Sequence, residues 1–327
     1  MINNKKIVLL FLMLVSLTSC KKVSETAEKY NEKSKYVSIY NSNNYDANFS
    51  LYSLVVFYDK DGNYLEDFKF KADTYLSLAT DDYIFFYGNK GIIRVDRKNK
   101  MVEKILDTPS DVIDYENGKL YYVINNGFKK YPHPAYDAKL CKFGGECIDF
   151  ENHFSFKVLG DKVYMHLNQY NKDTLEEYYV LRVYDLKTKK ILKEEPISNN
   201  ATIHKVNNKI YILDENKKLY EYETKKIVYE NSDMWSFYNI FTNYNKDIII
   251  VYNTKNNEET VLYNLTKNKE EKRLKGSSSL YITPYSKSII QQKLNAKDFI
   301  DLSNNKTIEY KDLGKDYIYY RDTYPLD

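Results

Sequence analysis

The sequence is poor in the residue patterns that most often carry chemistry. Its four histidines, His133, His153, His166 and His204, stand far apart, and no two share the spacing of a metal site. There is no Gly-x-Ser-x-Gly elbow and no glycine-rich phosphate loop, so a common hydrolase signature and a nucleotide cradle are both missing. A formal charge of +3 over 327 residues leaves no basic surplus to draw nucleic acid. The apolar stretch at residues 7–17 falls well short of the ~20 residues that span a bilayer as a helix. Acidic pairs such as Glu176-Glu177, Glu194-Glu195 and Glu270-Glu271 sit among lysines in polar segments, as solvated surface does. No metal and no cofactor is expected.

Glycine (10) and proline (6) are also scarce, whereas tyrosine (35) and phenylalanine (15) are plentiful. That balance favours strands, since aromatic rings suit a pleated, half-buried surface. The strands come in a repeated phrase. Val183-Tyr184-Asp185-Leu186-Lys187-Thr188-Lys189-Lys190-Ile191 describes a strand end, a polar turn and a new strand. It returns at Tyr58-Asp59, Val95-Asp96, Tyr222-Glu223, Tyr263-Asn264 and Ile300-Asp301, with successive gaps of 37, 89, 38, 41 and 37 residues. A degenerate unit turning at residues 142–146 divides the long gap. Seven units with a period near ~40 residues match the four-stranded blade of a β-propeller.

A second series of turns interleaves with the first: Asp81-Asp82, Asn117-Gly118, Gly160-Asp161, Asn207-Asn208, Asn245-Lys246 and Ser286-Lys287. Such residues tolerate the positive φ of two-residue hairpins. The expected fold is therefore all-β, a seven-bladed propeller over residues 35–327. The first unit starts at its second strand, and the spare strand at residues 316–321 is expected to complete blade one and close the ring. Rings of six or eight blades, or an open pair of β-sandwiches, are the alternatives.

Residues 1–19 carry a basic Lys5-Lys6 followed by the apolar stretch and Leu17-Thr18-Ser19-Cys20. The order is that of a secretory signal, and its end resembles the lipobox of bacterial lipoproteins. That resemblance implies cleavage before Cys20 and acyl chains, palmitate included, on the cysteine. Two or more chains give a stable membrane anchor. Residues 20–34 are polar and read as a flexible tether. The repeat itself resembles quinoprotein-like and WD40-like propellers of the cell envelope, although the Trp-Asp pairs of one and the Trp-rich docking motifs of the other are absent. The resemblance implies a lipid-anchored envelope protein that binds a protein partner. Lys21 and Lys22 in place of an aspartate after Cys20 point to the outer membrane or cell surface rather than the inner membrane.

Cys141 and Cys147 flank a Gly-Gly turn and form an even pair once Cys20 is acylated, which suggests a hairpin disulfide, with two free thiols as the alternative. Asp59, Asp61 and Asn63 are similar to a fragment of a calcium loop, but the same position in other units is simply a turn. His166 and His204 are expected to be packing or channel residues. Two segments interrupt the repeat: residues 127–136, with Tyr131, His133 and Tyr136, and residues 233–238, with Trp235 and Tyr238. Aromatics on loops of a rigid scaffold suit a partner or a carbohydrate, so these five residues are the candidate contacts. The expected function is a non-enzymatic protein-binding scaffold. The alternative is a propeller enzyme or a carbohydrate binder working at the central channel.

Overall fold

The computed structural model describes residues 27–42, 52–110, 112–128, 136–151, 154–171, 173–174, 176–255, 258–276, 279–292, 297–312, 317–318 and 322–327. Among the described residues thirty strands form seven antiparallel sheets, arranged as a seven-bladed propeller. Blade one holds β2 (Ser34–Ser42), β3 (Ser53–Asp59) and β4 (Tyr64–Phe70), and the short β1 (Glu28–Lys29) precedes it. Blade two comprises β5 (Thr74–Ala79), β6 (Tyr83–Gly88), β7 (Gly91–Asp96) and β8 (Met101–Leu106). Blade three is β9 (Ile113–Glu116), β10 (Lys119–Phe128), β11 (Tyr136–Lys142) and β12 (Cys147–Glu151). Blade four is β13 (Phe154–Leu159), β14 (Lys162–Tyr170), β15 (Glu177–Asp185) and β16 (Lys190–Pro196). Blade five is β17 (Thr202–Val206), β18 (Lys209–Leu213), β19 (Lys218–Glu221) and β20 (Ile227–Glu230). Blade six is β21 (Met234–Thr242), β22 (Ile248–Thr254), β23 (Glu259–Asn264) and β24 (Lys269–Lys275). Blade seven is β25 (Ser279–Tyr281), β26 (Ile290–Gln292), β27 (Asp298–Asp301) and β28 (Lys306–Glu309), after which β29 (Tyr317–Ile318) and β30 (Thr323–Pro325) return to blade one.

Side chains alternate between the two faces of a strand, and each face here meets a different neighbour. On β3, Val55 and Phe57 pack toward blade two, while Leu54, Val56 and Tyr58 pack toward blade seven. On β18, Tyr211 and Leu213 face blade six, and Ile210 and Ile212 face blade four. The hydrophobic residues among those described thus fall into seven clusters, each wedged between two adjacent blades, including the pair formed by blades seven and one. This explains why middle strands such as β6 and β22 carry unbroken apolar runs, Tyr83–Tyr87 and Ile248–Tyr252, rather than alternating with polar residues. The outermost strands β16 and β24 are exposed and rich in lysine and glutamate, which discourages pairing of their free edges with another chain.

The acids of the repeated phrase are turn formers. Asp59, Asp96 and Asp185 accept hydrogen bonds through Oδ1 from backbone amides two or three residues on, at 2.7 to 3.0 Å. Asn264 and Asp301 do the same toward Lys267 and Ser303, both at 2.9 Å. Each of these turns ends on a residue with positive φ, namely Gly62, Lys100, Lys189, Asn268 and Asn305. Hydrogen bonds from Thr188 and Lys187 hold the Asp185 carboxyl below the usual carboxylate range. In the other series, Asn117-Gly118 and Asn207-Asn208 have φ of 49° and 76°, and of 49° and 56°, the paired positive values of a type I′ hairpin.

Closure uses the C-terminal chain, with a different division from the single strand expected at residues 316–321. β29 pairs Ile318 with Asn41, and β30 pairs Tyr324 with Val37, so that two short strands share the innermost position of blade one. Leu326 N donates to Lys35 O at 2.9 Å, and Lys35 Nζ lies 2.6 Å from Asp327 Oδ2. Ser286 Oγ of blade seven donates to Asp327 Oδ1 at 2.7 Å, and Arg97 of blade two donates to the Asp327 carbonyl. The folded body also reaches further toward the N-terminus than Lys35. β1 adds a fifth strand to blade two, and Tyr30 is buried, stacked on Phe57 at 4.3 Å with its hydroxyl donating to Asp96 O. Residues 1–26, with Cys20, lie outside the described residues.

Tyr324 is 7% exposed, packs in the core between blades one and two, and meets Tyr281 edge-on at 5.3 Å. Tyr324→Ala is expected to cost about 3–5 kcal/mol in urea unfolding, as other large core truncations do. Ile227→Ala, at a 48% exposed position, should stay within about 0.5 kcal/mol. Equal small losses from both would show that closure does not limit stability.

Candidate functional site

Propeller topology puts the hairpins joining the first and second strands of blades two to seven on one face, and the connections between blades on the other. Along the axis the innermost strands enclose a cavity of about 730 Å3 that opens on the face of those hairpins, and every blade contributes to its wall. Blade two supplies Ser77 to Asp82, blade three Asp114 to Asn117, blade four Lys157 and blade five His204 to Asn208. Blades six, seven and one add Asn239 to Thr242, Tyr285 and Tyr324.

The strongest charges of this wall are spent on each other. Lys205 Nζ shares its three N–H groups among Asp114 Oδ2 (2.9 Å), Glu116 Oε2 (3.0 Å) and the carbonyls of Tyr115 and Val158 (both 2.8 Å). The Asp114 side chain is only 3% exposed, and its Oδ2 also accepts from Val158 N at 2.7 Å. Glu116 Oε1 accepts from Gly160 N at 3.0 Å. One lysine of blade five therefore ties blades three and four together, and its charge is matched where it is buried.

His204 lies deeper in the channel. Its Nε2 is 2.8 Å from Thr202 Oγ1, and its ring meets Phe237 edge-on at 4.8 Å. Loss of water around the ring, helped by the nearby Lys157 charge, pushes its pKa down to about 3, so the ring is neutral. At the mouth, partial burial and the adjacent Asp82 raise the Asp81 carboxyl above its ordinary value. Ser77 donates to Asp322 and shares a 2.8 Å hydrogen bond with Tyr324. Desolvation lifts the Asp322 carboxyl, against the pull of its hydrogen bonds to Ser77 and Tyr281.

Tyr285 is the outlier of the rim. It has φ of 60° and is 42% exposed, yet it carries a bulky side chain where glycine or asparagine is the usual occupant. Such a conformation costs on the order of 1–3 kcal/mol and holds only where neighbours enforce it. Here the Tyr285 amide donates to Thr242 O, and Ser286 N donates to Thr283 O, both at 3.0 Å.

The residues singled out from sequence lie elsewhere. Tyr131 and His133 fall outside the described residues, and Tyr136 opens β11 opposite Phe128. Trp235 and Tyr238 are on β21 rather than in a loop, each at a register shift of the β21–β22 ladder, between Met234 and Ser236 and between Phe237 and Asn239. Bulges of this kind re-aim a side chain, and the Trp235 residue is 60% exposed. Its end of β21 is the inter-blade face, roughly 20 Å along the strand from the cavity rim at Thr242. Asn231 fixes the approach to it, accepting from Asp233 N and donating to the Tyr229 and Tyr252 hydroxyls. Cys141 and Cys147 are register partners on β11 and β12 and are joined as a disulfide. His166 sits in β14 opposite Ser155 and Leu181, and desolvation lowers its pKa. His204, expected as a packing or channel residue, lines the cavity, as do the hairpin turns Asp81-Asp82, Asn117-Gly118 and Asn207-Asn208; Lys205, Asp114, Glu116 and Tyr285 went unmarked because nothing in the sequence pairs residues on different blades.

No family model and no curated protein matches the chain. Among solved structures it resembles AztD of Citrobacter koseri, with TM-score 0.55 and 8% sequence identity over 89% of this chain and 98% of that one. It also resembles the acylaminoacyl peptidase of Pyrococcus horikoshii, with TM-score 0.57 and 13% identity over 87% of this chain and 51% of that one. At these identities the likeness is one of fold, and it supports a β-propeller.

Lys205→Ala should destabilise the protein by about 3–5 kcal/mol in urea unfolding, because it strands a buried carboxylate; a loss below about 1 kcal/mol would mean that the network is solvated. For His204 the folded-state pKa lies below the unfolded value, so the unfolded chain binds the extra proton and stability falls as pH drops from about 6.5 toward 3. In thermal melts across that range His204→Gln should flatten part of the decline and leave stability above pH 7 unaltered. Superimposable acid limbs for variant and wild type would contradict a neutral His204.

Proposed function

We propose that the protein is a lipid-anchored propeller of the bacterial cell envelope, acting as a non-enzymatic scaffold that binds a protein partner through its inter-blade face. The exposed Trp235 on the bulged innermost strand carries this reading. An exposed indole on a rigid strand loses little conformational freedom when a partner covers it, and tryptophan is enriched among the residues that dominate interface energy. The cavity supports a binding role as well, because Lys205, Asp114 and Glu116 are held by one another rather than poised for proton transfer. In this proposal acyl chains on Cys20 attach the protein to the outer membrane or the cell surface, and residues between Cys20 and β1 form the tether.

The test is affinity capture from detergent-solubilised envelopes of the source cells, with wild type and Trp235→Ala as parallel baits. Trp235→Ala should lose at least about tenfold of the captured partner, equivalent to about 1.4 kcal/mol, with an unchanged melting temperature. An identical capture profile for the two baits would remove this face as the contact. Cys20→Ser should move the protein from the membrane to the soluble fraction, and its retention in membranes would overturn the anchor.

A further inference from the structure

We infer that the mouth of the central channel is a binding site for a neutral polyhydroxylated ligand, a short saccharide, with Tyr285 as its stacking surface and the asparagines of the rim as its hydrogen-bonding groups. The site is at the other end of the channel from Trp235, so it stands or falls separately from the partner-binding face.

The cavity volume of about 730 Å3 lies within the ~300–1,000 Å3 typical of small-molecule sites. The chemistry of its wall narrows the ligand. An anion would need free cations, but Lys205 is committed to Asp114 and Glu116, and Lys157 lies 3.9 Å from Asp114 Oδ1. Arg97 is engaged with the carbonyls of Thr80, Asp81 and Asp327. A hydrocarbon would have to desolvate exposed amides, for Asn117, Asn207, Asn208 and Asn239 all line the cavity from blades three, five and six. Each asparagine carries a carbonyl oxygen and an NH2 group side by side; Asn207 Oδ1 already accepts from Thr242 Oγ1 and Asn239 Oδ1 from Ile240 N, so these two present their NH2 groups as donors. Neighbouring hydroxyls on a sugar ring, which donate and accept in alternation, are the complement of that pairing.

Tyr285 supplies the other half of sugar recognition, a flat aromatic face for the C–H groups of a pyranose. It lines the cavity, it is exposed, and it has a left-handed backbone conformation that glycine would adopt without strain. Glycine would take this backbone conformation more readily, and the ring is assigned here to what it contacts in the channel. Ser77, oriented by Asp322 and Tyr324, adds a hydroxyl to the same wall.

The experiment is a screen of the soluble Cys20→Ser protein on an array of neutral and acidic oligosaccharides. Calorimetry on the best binder then compares wild type, Tyr285→Gly and Asn239→Ala, with spermidine and inorganic phosphate titrated in parallel. A neutral oligosaccharide should bind wild type. Tyr285→Gly should weaken it at least about tenfold while leaving the melting temperature equal or higher, and Asn239→Ala should weaken it in the same direction. Loss of binding together with loss of folding in Tyr285→Gly would show the ring to be structural and overturn the proposal. So would an array without a neutral binder, undiminished binding by Tyr285→Gly, or binding of spermidine or phosphate alone.

Discussion

Everything in this ring depends on the pairing of β2 with β30. Hydrophobic burial is divided among seven wedges, and no blade keeps its apolar faces from water without both neighbours. The wedge between blades one and two takes in Tyr324, and the adjacent wall takes in Asp322, so both need the C-terminal strands in place. Asp327 draws Lys35, Ser286 and Arg97 to one point, where blades seven, one and two meet. Blade one lacks the covalent hairpin that joins first and second strands in the others. An ion pair and the backbone bond from Leu326 to Lys35 stand in its place.

The channel follows from the same geometry. Once closure sets the positions of the innermost strands, their ends converge and the side chains at those ends share one cavity. Lys205 fixes the wall on the side of blades three to five, and the Asp327 clasp fixes it on the side of blades seven to two. Between them β21 is the most irregular of the innermost strands, and its two bulges put Trp235 and the rim residues on opposite ends of one element.

The architecture was legible because its rules are local. An acid at a strand end makes an Asx turn with amides two or three residues away, so Asp59, Asp96 and Asp185 announced the period, and counting that period gave seven blades. The missing first strand of blade one was legible for the same reason, although the residues that fill it are shared between β29 and β30. What could not be read was set by long-range packing. Lys205 and Asp114 are 91 residues apart and have no shared pattern. Tyr30 looks like part of a polar tether until Phe57 is found beneath it. Trp235 stood out as the single tryptophan, but its placement on a bulge depended on the register of β21 against β22, which hydrophobic pattern does not specify.

The closure described above also sets a timetable. Val37 and Tyr324 are paired across nearly the whole chain, and contacts of such sequence separation are the slowest to form. β2 pairs locally with β3, but its inner edge stays open to any other chain until the six following blades have appeared.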